Sequence, residues 1–143
     1  MSDADRTAAA AAGYSGNPLS QKLGLKPDQR VLVLDAPADY AMLTGFDPSS
    51  ARQFKRAAAF DFGHAFVTTR NQLARTLEQL DPLLDPAGML WISWPKQASR
   101  VPTDVTEDVV RELALPLGLV DVKVCAIDAT WSGLKFVRRR ERR

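Results

Sequence analysis

One cysteine and one histidine in 143 residues remove several kinds of chemistry at the outset. Cys125 has no partner for an internal disulfide and no second sulfur for a zinc site, which points to a reducing compartment, the cytoplasm. His64 has no second histidine with which to build a metal cluster, and no serine sits in a G-x-S-x-G turn. Neither a zinc enzyme nor a serine hydrolase is therefore expected. A P-loop and a G-x-G-x-x-G dinucleotide loop are also missing. No apolar stretch reaches the roughly 18 residues that a membrane-spanning helix needs. The start, "MSDADRTAAAAAGYSG", is acidic and its run of alanines is shorter than the apolar core of about 7 to 15 residues in a secretion signal, so none is expected.

Excess charge is scarce as well. The net charge is +2, yet Arg138–Arg143 alone holds five arginines and one glutamate, or +4, which leaves −2 for the rest. The body of the chain thus lacks a nucleic-acid footprint, and only this basic tail carries the charge for one.

What the chain does have is apolar content. With 45% hydrophobic residues it can build one core, and the expected organisation is a tail over 1–13, a single domain over 14–138 and a basic tail over 139–143. Asn17, Pro18 and Gly24 have the residue types of an N-cap, a first helical position and a C-terminal stop, which predicts a short helix between them. "RVLVL", Arg30–Leu34, reads as a buried strand, and Ala38–Thr44 as one or two helical turns broken by Gly45. Ala51–Ala57 is read as a second strand and Phe60–Thr69 as a third, with His64 as a core residue rather than a catalyst.

Leu73, Leu77, Leu80 and Leu84 recur at helical spacing, with Thr69 or Asn71 as cap and with Pro86 and Gly88 as the stop. "MLWISW", Met89–Trp94, reads as a central strand. Asp104 with Glu107 has the spacing of a capping box, and Val105, Val109, Leu113 and Leu117 mark a second amphipathic helix. "GLVDVKVCAID" and "SGLKFVRR" alternate and lie close together, as an edge hairpin does. The whole predicts a three-layer α/β sandwich with a mostly parallel sheet of five or six strands and a C-terminal antiparallel hairpin.

From Phe60 to Val137 the order strand, helix, "LLDPAGMLWISW", helix, hairpin resembles the closing half of a class I methyltransferase-like, Rossmann-like fold. The segments "YSGNPLSQKLGLKP", "WISWPK", "TDVTEDVVRELAL" and "GLVDVKVCAIDATWSGLKFV" are similar to a family of short bacterial proteins of unknown function. The first resemblance implies S-adenosylmethionine as cofactor; the second implies no reaction. Three features set the chain apart from the methyltransferase pattern. Asp35, Ala36 and Pro37 stand where glycines let the backbone approach the cofactor, and Lys55, Arg56 and Ala57 stand where a carboxylate would hold the ribose. The segment Ala36–Ala59 is also too short for two further β-α units at roughly 30 residues each. The front half is abbreviated, and no cofactor is expected in the standard mode.

In an open parallel sheet, ligands bind beyond the carboxyl ends of the strands. That rule gathers Asp35, Tyr40, Arg70, Lys96, Asp128, Trp131 and Ser132 on one rim as candidate ligand-binding residues. Lys96 is a point charge for phosphate or carboxylate, Trp131 a stacking surface, and Asp35 with Asp128 an acid and base pair. Asp35 and Tyr40 are expected to face Lys96 and Trp131. Beside each role stands a plainer one: a surface lysine, a packing tryptophan, turn-capping aspartates. The expected function is that of a methyltransferase-like domain, more a binder than an enzyme, that takes a small anionic ligand or a protein partner at the rim. The alternatives are a reduced S-adenosylmethionine-dependent methyltransferase and a structural homodimer that pairs through the hairpin edge.

Overall fold

In a computed structural model of the chain, residues 17–48 and 59–142 are described. The expected second strand, Ala51–Ala57, lies outside them, as does the start of the domain at Tyr14. The first helix, α1 (Pro18–Leu23), begins on Asn17, whose Oδ1 accepts from the N–H groups of Leu19 and Ser20 at 2.8 and 3.2 Å. It ends on Gly24 at φ 82°, the left-handed conformation that glycine adopts without a Cβ penalty. Then follow β1 (Val31–Leu34), the single turn α2 (Tyr40–Thr44), β2 (Phe60–Phe66) and α3 (Arg70–Leu80). The chain continues through β3 (Leu84–Pro95), α4 (Glu107–Ala114), β4 (Leu119–Ala126) and β5 (Trp131–Arg138).

Several element boundaries differ from expectation, and the strand expected to reach Thr69 ends at Phe66, with Thr69 capping α3. Helix α3 stops at Leu80, not at Pro86, because Pro82 cannot donate to the helical ladder and directs Asp81–Leu83 into a tighter 3-10 turn. Leu84 therefore opens a twelve-residue β3, with a register shift opposite Phe60 and Phe62. At α4 the cap is Thr106, whose Oγ1 accepts from Val109 N–H, rather than Asp104. Asp104 instead accepts from Arg70 N–H at 2.7 Å and so serves the neighbouring helix.

The five strands form one sheet in the order β1-β2-β3-β5-β4. β1, β2 and β3 pair in parallel, and β5 is antiparallel to both of its neighbours, so four strands run one way and β5 the other. In a complete doubly wound sheet the first strand lies in the middle, where the strand order reverses. Here β1 is an edge among the described strands.

Alternation along each strand sends side chains to two layers. On one face Leu32, Leu90, Ile92, Leu134 and Phe136 pack with Leu73, Leu77 and Leu80 of α3 and Val110 and Ala114 of α4. On the other, Phe62, Trp91, Cys125 and Ile127 pack with Leu23 and Leu25, and the Trp91 indole donates to Leu23 O at 2.7 Å. At the amino ends of the strands Arg30 binds Asp61 of β2 and Asp85 of β3, with three contacts of 2.8 Å. These hydrogen bonds from Arg30 hold the Asp61 carboxyl below its usual value. No helix among the described residues is long and apolar enough to cross a membrane.

Candidate functional site

The carboxyl rim carries the ends of β1 to β4 and the start of β5. On the α1 side of the sheet, just inside that rim, lies a buried polar row. His64 Nδ1 is 2.9 Å from the Tyr40 hydroxyl and His64 Nε2 is 2.7 Å from Ser93 Oγ. A neutral imidazole has one donor and one acceptor nitrogen, which these two hydroxyls match in either tautomer. The His64 ring stacks on Phe66 with centroids 4.3 Å apart, and all three polar residues are essentially without solvent contact. Burial pushes the imidazole pKa down to about 3 and the Tyr40 phenol up. The row is therefore neutral and closed at pH 7. Room for it comes from Gly133, where a Cβ would lie 3.2 Å from Trp91 Cε3 and 3.3 Å from Ser93 Oγ.

Tyr40 is thereby corrected as a rim ligand, since its hydroxyl turns inward to His64 and the residue is 1% exposed. Trp131 lies edge-on to Phe66 at 5.0 Å and packs against the Val33, Tyr40 and Phe66 cluster, so Tyr40 and Trp131 do share one aromatic group. Ser132, the next residue along β5, points to the opposite face and pairs in register with Trp94 and Ala126. Asp128 caps its turn, with Oδ1 accepting from Thr130 and Trp131 N–H at 2.8 and 2.7 Å. Arg70 is paired with Glu112 of α4 and is held on the helical layer. Among the described residues no hydrogen bond or ion pair joins any two of the rim candidates Arg70, Asp35, Lys96 and Trp131.

Asp35 adopts φ 57°, and its carboxylate is 3.4 Å from Gln72 Nε2. Gln72 also accepts from Thr68 N–H at 2.9 Å and so ties the ends of β1 and β2 together. Nothing in the sequence distinguishes this glutamine from its helical neighbours. The His64–Ser93 pair did leave a trace: one polar residue inside each of two otherwise apolar runs, "FGHAF" and "MLWISW".

Lys96 follows the central strand; its backbone N–H donates to Thr130 O at 2.7 Å, and its ammonium has no partner among the described residues. The residues on either side of it, Pro95 and Gln97, line a cavity of about 330 Å³ together with Trp94, Thr103, Val105, Thr106 and Glu107. That volume is at the small end of the roughly 300 to 1,000 Å³ of ligand pockets, so a ligand there is small. No set of three metal-ligating side chains is grouped among the described residues.

A putative type 11 methyltransferase from Sulfolobus solfataricus matches this structure with a TM-score of 0.56 at 11% identity, over 87% of this chain and 92% of that one. The fold is methyltransferase-like. Weaker likenesses are to a ribosomal protein L11 methylase from Lactobacillus delbrueckii subsp. bulgaricus, at TM-score 0.49, 16% identity and 90% and 67% coverage, and to a magnesium protoporphyrin IX methyltransferase from Synechocystis PCC 6803, whose structure holds SAM. The latter has a TM-score of 0.48 at 13% identity and covers 59% of this chain. This chain spans only 41% of that enzyme's length. No protein-family model matches the methyltransferase-like chain, and no curated protein matches its sequence.

S-adenosylmethionine, the cofactor such a fold implies, fits the first loop poorly in the standard mode. Asp35 and Ala36 carry Cβ atoms where glycines would be needed, and Ala36 packs against the Tyr40 and Phe66 cluster. Pro37 has no N–H to offer, and its carbonyl already accepts from Tyr40 N–H at 3.0 Å. The Lys55, Arg56 and Ala57 segment lies outside the described residues.

Proposed function

We propose that this methyltransferase-like domain is a binding module, without methyl transfer of its own, that takes a small anionic ligand at the carboxyl rim. The observation that carries the reading is Lys96, an unpartnered ammonium set between two residues that line a small rim cavity. The Trp94 and Val105 side chains supply an apolar wall, and Thr106, whose hydroxyl accepts from Val109 N–H, keeps its proton to donate, whereas the Thr103 hydroxyl is committed to Thr68 O. The buried Tyr40–His64–Ser93 row supports a binding role, because an imidazole with a pKa of about 3 and no solvent contact is a poor general base at pH 7.

A reduced S-adenosylmethionine-dependent methyltransferase is the second reading, favoured by the likeness to the Sulfolobus protein. Thermal unfolding separates the two, since a ligand that binds the native state raises Tm by mass action. The expected result is no rise with millimolar S-adenosylmethionine or S-adenosylhomocysteine, and a rise with small carboxylated compounds that Lys96→Met abolishes. A rise with either adenosyl compound transfers the case to the enzyme.

A further inference from the structure

The sheet holds a second concentration of positive charge, away from the rim. Leu134 and Phe136 of β5 face α3 and α4, so Lys135 between them projects to the α1 side. Its partner in register on β4 is Lys123, on the same face as Cys125. Lys123 confirms the direction, because its Nζ donates to Lys22 O in α1 at 2.8 Å. Directly opposed side chains in an antiparallel pair have Cβ atoms about 4.5 to 5.5 Å apart, and like charges there are destabilising. Arg30, Arg70, Arg111 and Arg138 each meet a carboxylate. Lys123 and Lys135 meet none among the described residues.

The pair is partly sheltered yet reachable. Lys135 is half-buried beside Trp91, its register partner on β3, and no buried side-chain nitrogen among the described residues lacks a hydrogen bond, so its unpartnered ammonium reaches solvent. Burial and the neighbouring Lys123 charge lower the Lys135 pKa. Two adjacent ammonium groups call for one divalent counter-charge. A carboxylate supplies a single charge, whereas a phosphoryl group carries about −1.5 to −2 at pH 7 and has three acceptor oxygens to bridge two donors.

We propose that Lys123 and Lys135, opposed across the β4–β5 pair on the α1 face, form a binding site for a phosphoryl group. The site is independent of the rim reading and lies on a different part of the sheet.

Inorganic phosphate and pyrophosphate are the probes, with acetate as the monovalent control, all at constant ionic strength and, for Tm, all in the Lys96→Met background, which silences the rim. Phosphate and pyrophosphate should raise Tm by several degrees where acetate does not, and Lys123→Met/Lys135→Met should abolish the rise. Removing the two opposed charges should leave the variant folded. As a second readout on the unmodified chain, amide NMR shifts on addition of phosphate should centre on residues 122–124 and 134–136. Shifts centred on residues 95–100 and lost in Lys96→Met would overturn this site and support the rim. An equal Tm rise with acetate, or one that survives the double substitution, also overturns it. No response to phosphate or pyrophosphate in either measurement overturns it while leaving carboxylate binding at the rim untouched.

Discussion

At the scale of single residues, His64 sets a pH dependence. Its folded pKa of about 3 lies below the ordinary value of 6.5, so between these values the unfolded chain binds a proton that the folded chain refuses. Stability is full above about pH 6.5 and falls as pH drops, by at most about 1.4 kcal/mol per pH unit from this group. Asp61, with its lowered pKa, acts in the same direction below the usual carboxylate range. Urea titrations at pH 7.5 and 5.0 should show the loss, and His64→Gln should flatten most of it. The core placement of His64 was legible because it sits in an apolar run. The inward turn of Tyr40 was not, since a loop tyrosine suits a rim as well as a core, and only the His64 partner across the sheet decides.

Elements followed their local chemistry where that chemistry was strong. The Asn17, Pro18 and Gly24 signals bound α1 as expected, because cap, first-turn proline and stop are all local. Leu84 misled because its spacing fits α3, yet Pro82 intervenes and the residue enters β3. Asp104 misled because a capping box is read within one segment, whereas its carboxylate reaches Arg70 N–H on another. The β4 edge bears on the homodimer alternative. Val122 and Val124 are 53% and 49% exposed, but the register shift between Asp121 and Lys123 and the lysine itself blunt the edge. Light scattering over a dilution series should give a monomer; a concentration-dependent doubling of mass would favour edge pairing.

For the whole molecule, alternating helices and strands made the layered sheet and the C-terminal hairpin legible, and the topology rule placed the candidate residues on one rim. Topology does not say which way a side chain turns. Trp131 and Ser132 are neighbours in sequence and point to opposite faces, and Arg70 is drawn aside by Glu112 on a helix 42 residues away. The cavity beside Lys96 needed the third dimension, because Trp94 and Thr106 come from separate elements.

The Arg30 contacts join three strands whose partners lie 31 and 55 residues along the chain. Such a junction closes only after β1, β2 and β3 have been aligned, so it belongs to the downhill side of the folding barrier. Stopped-flow mixing in urea should find Arg30→Met refolding at the parent rate and unfolding faster. On that view, the guanidinium contributes little to how quickly the sheet assembles and chiefly lengthens the time for which it stays assembled.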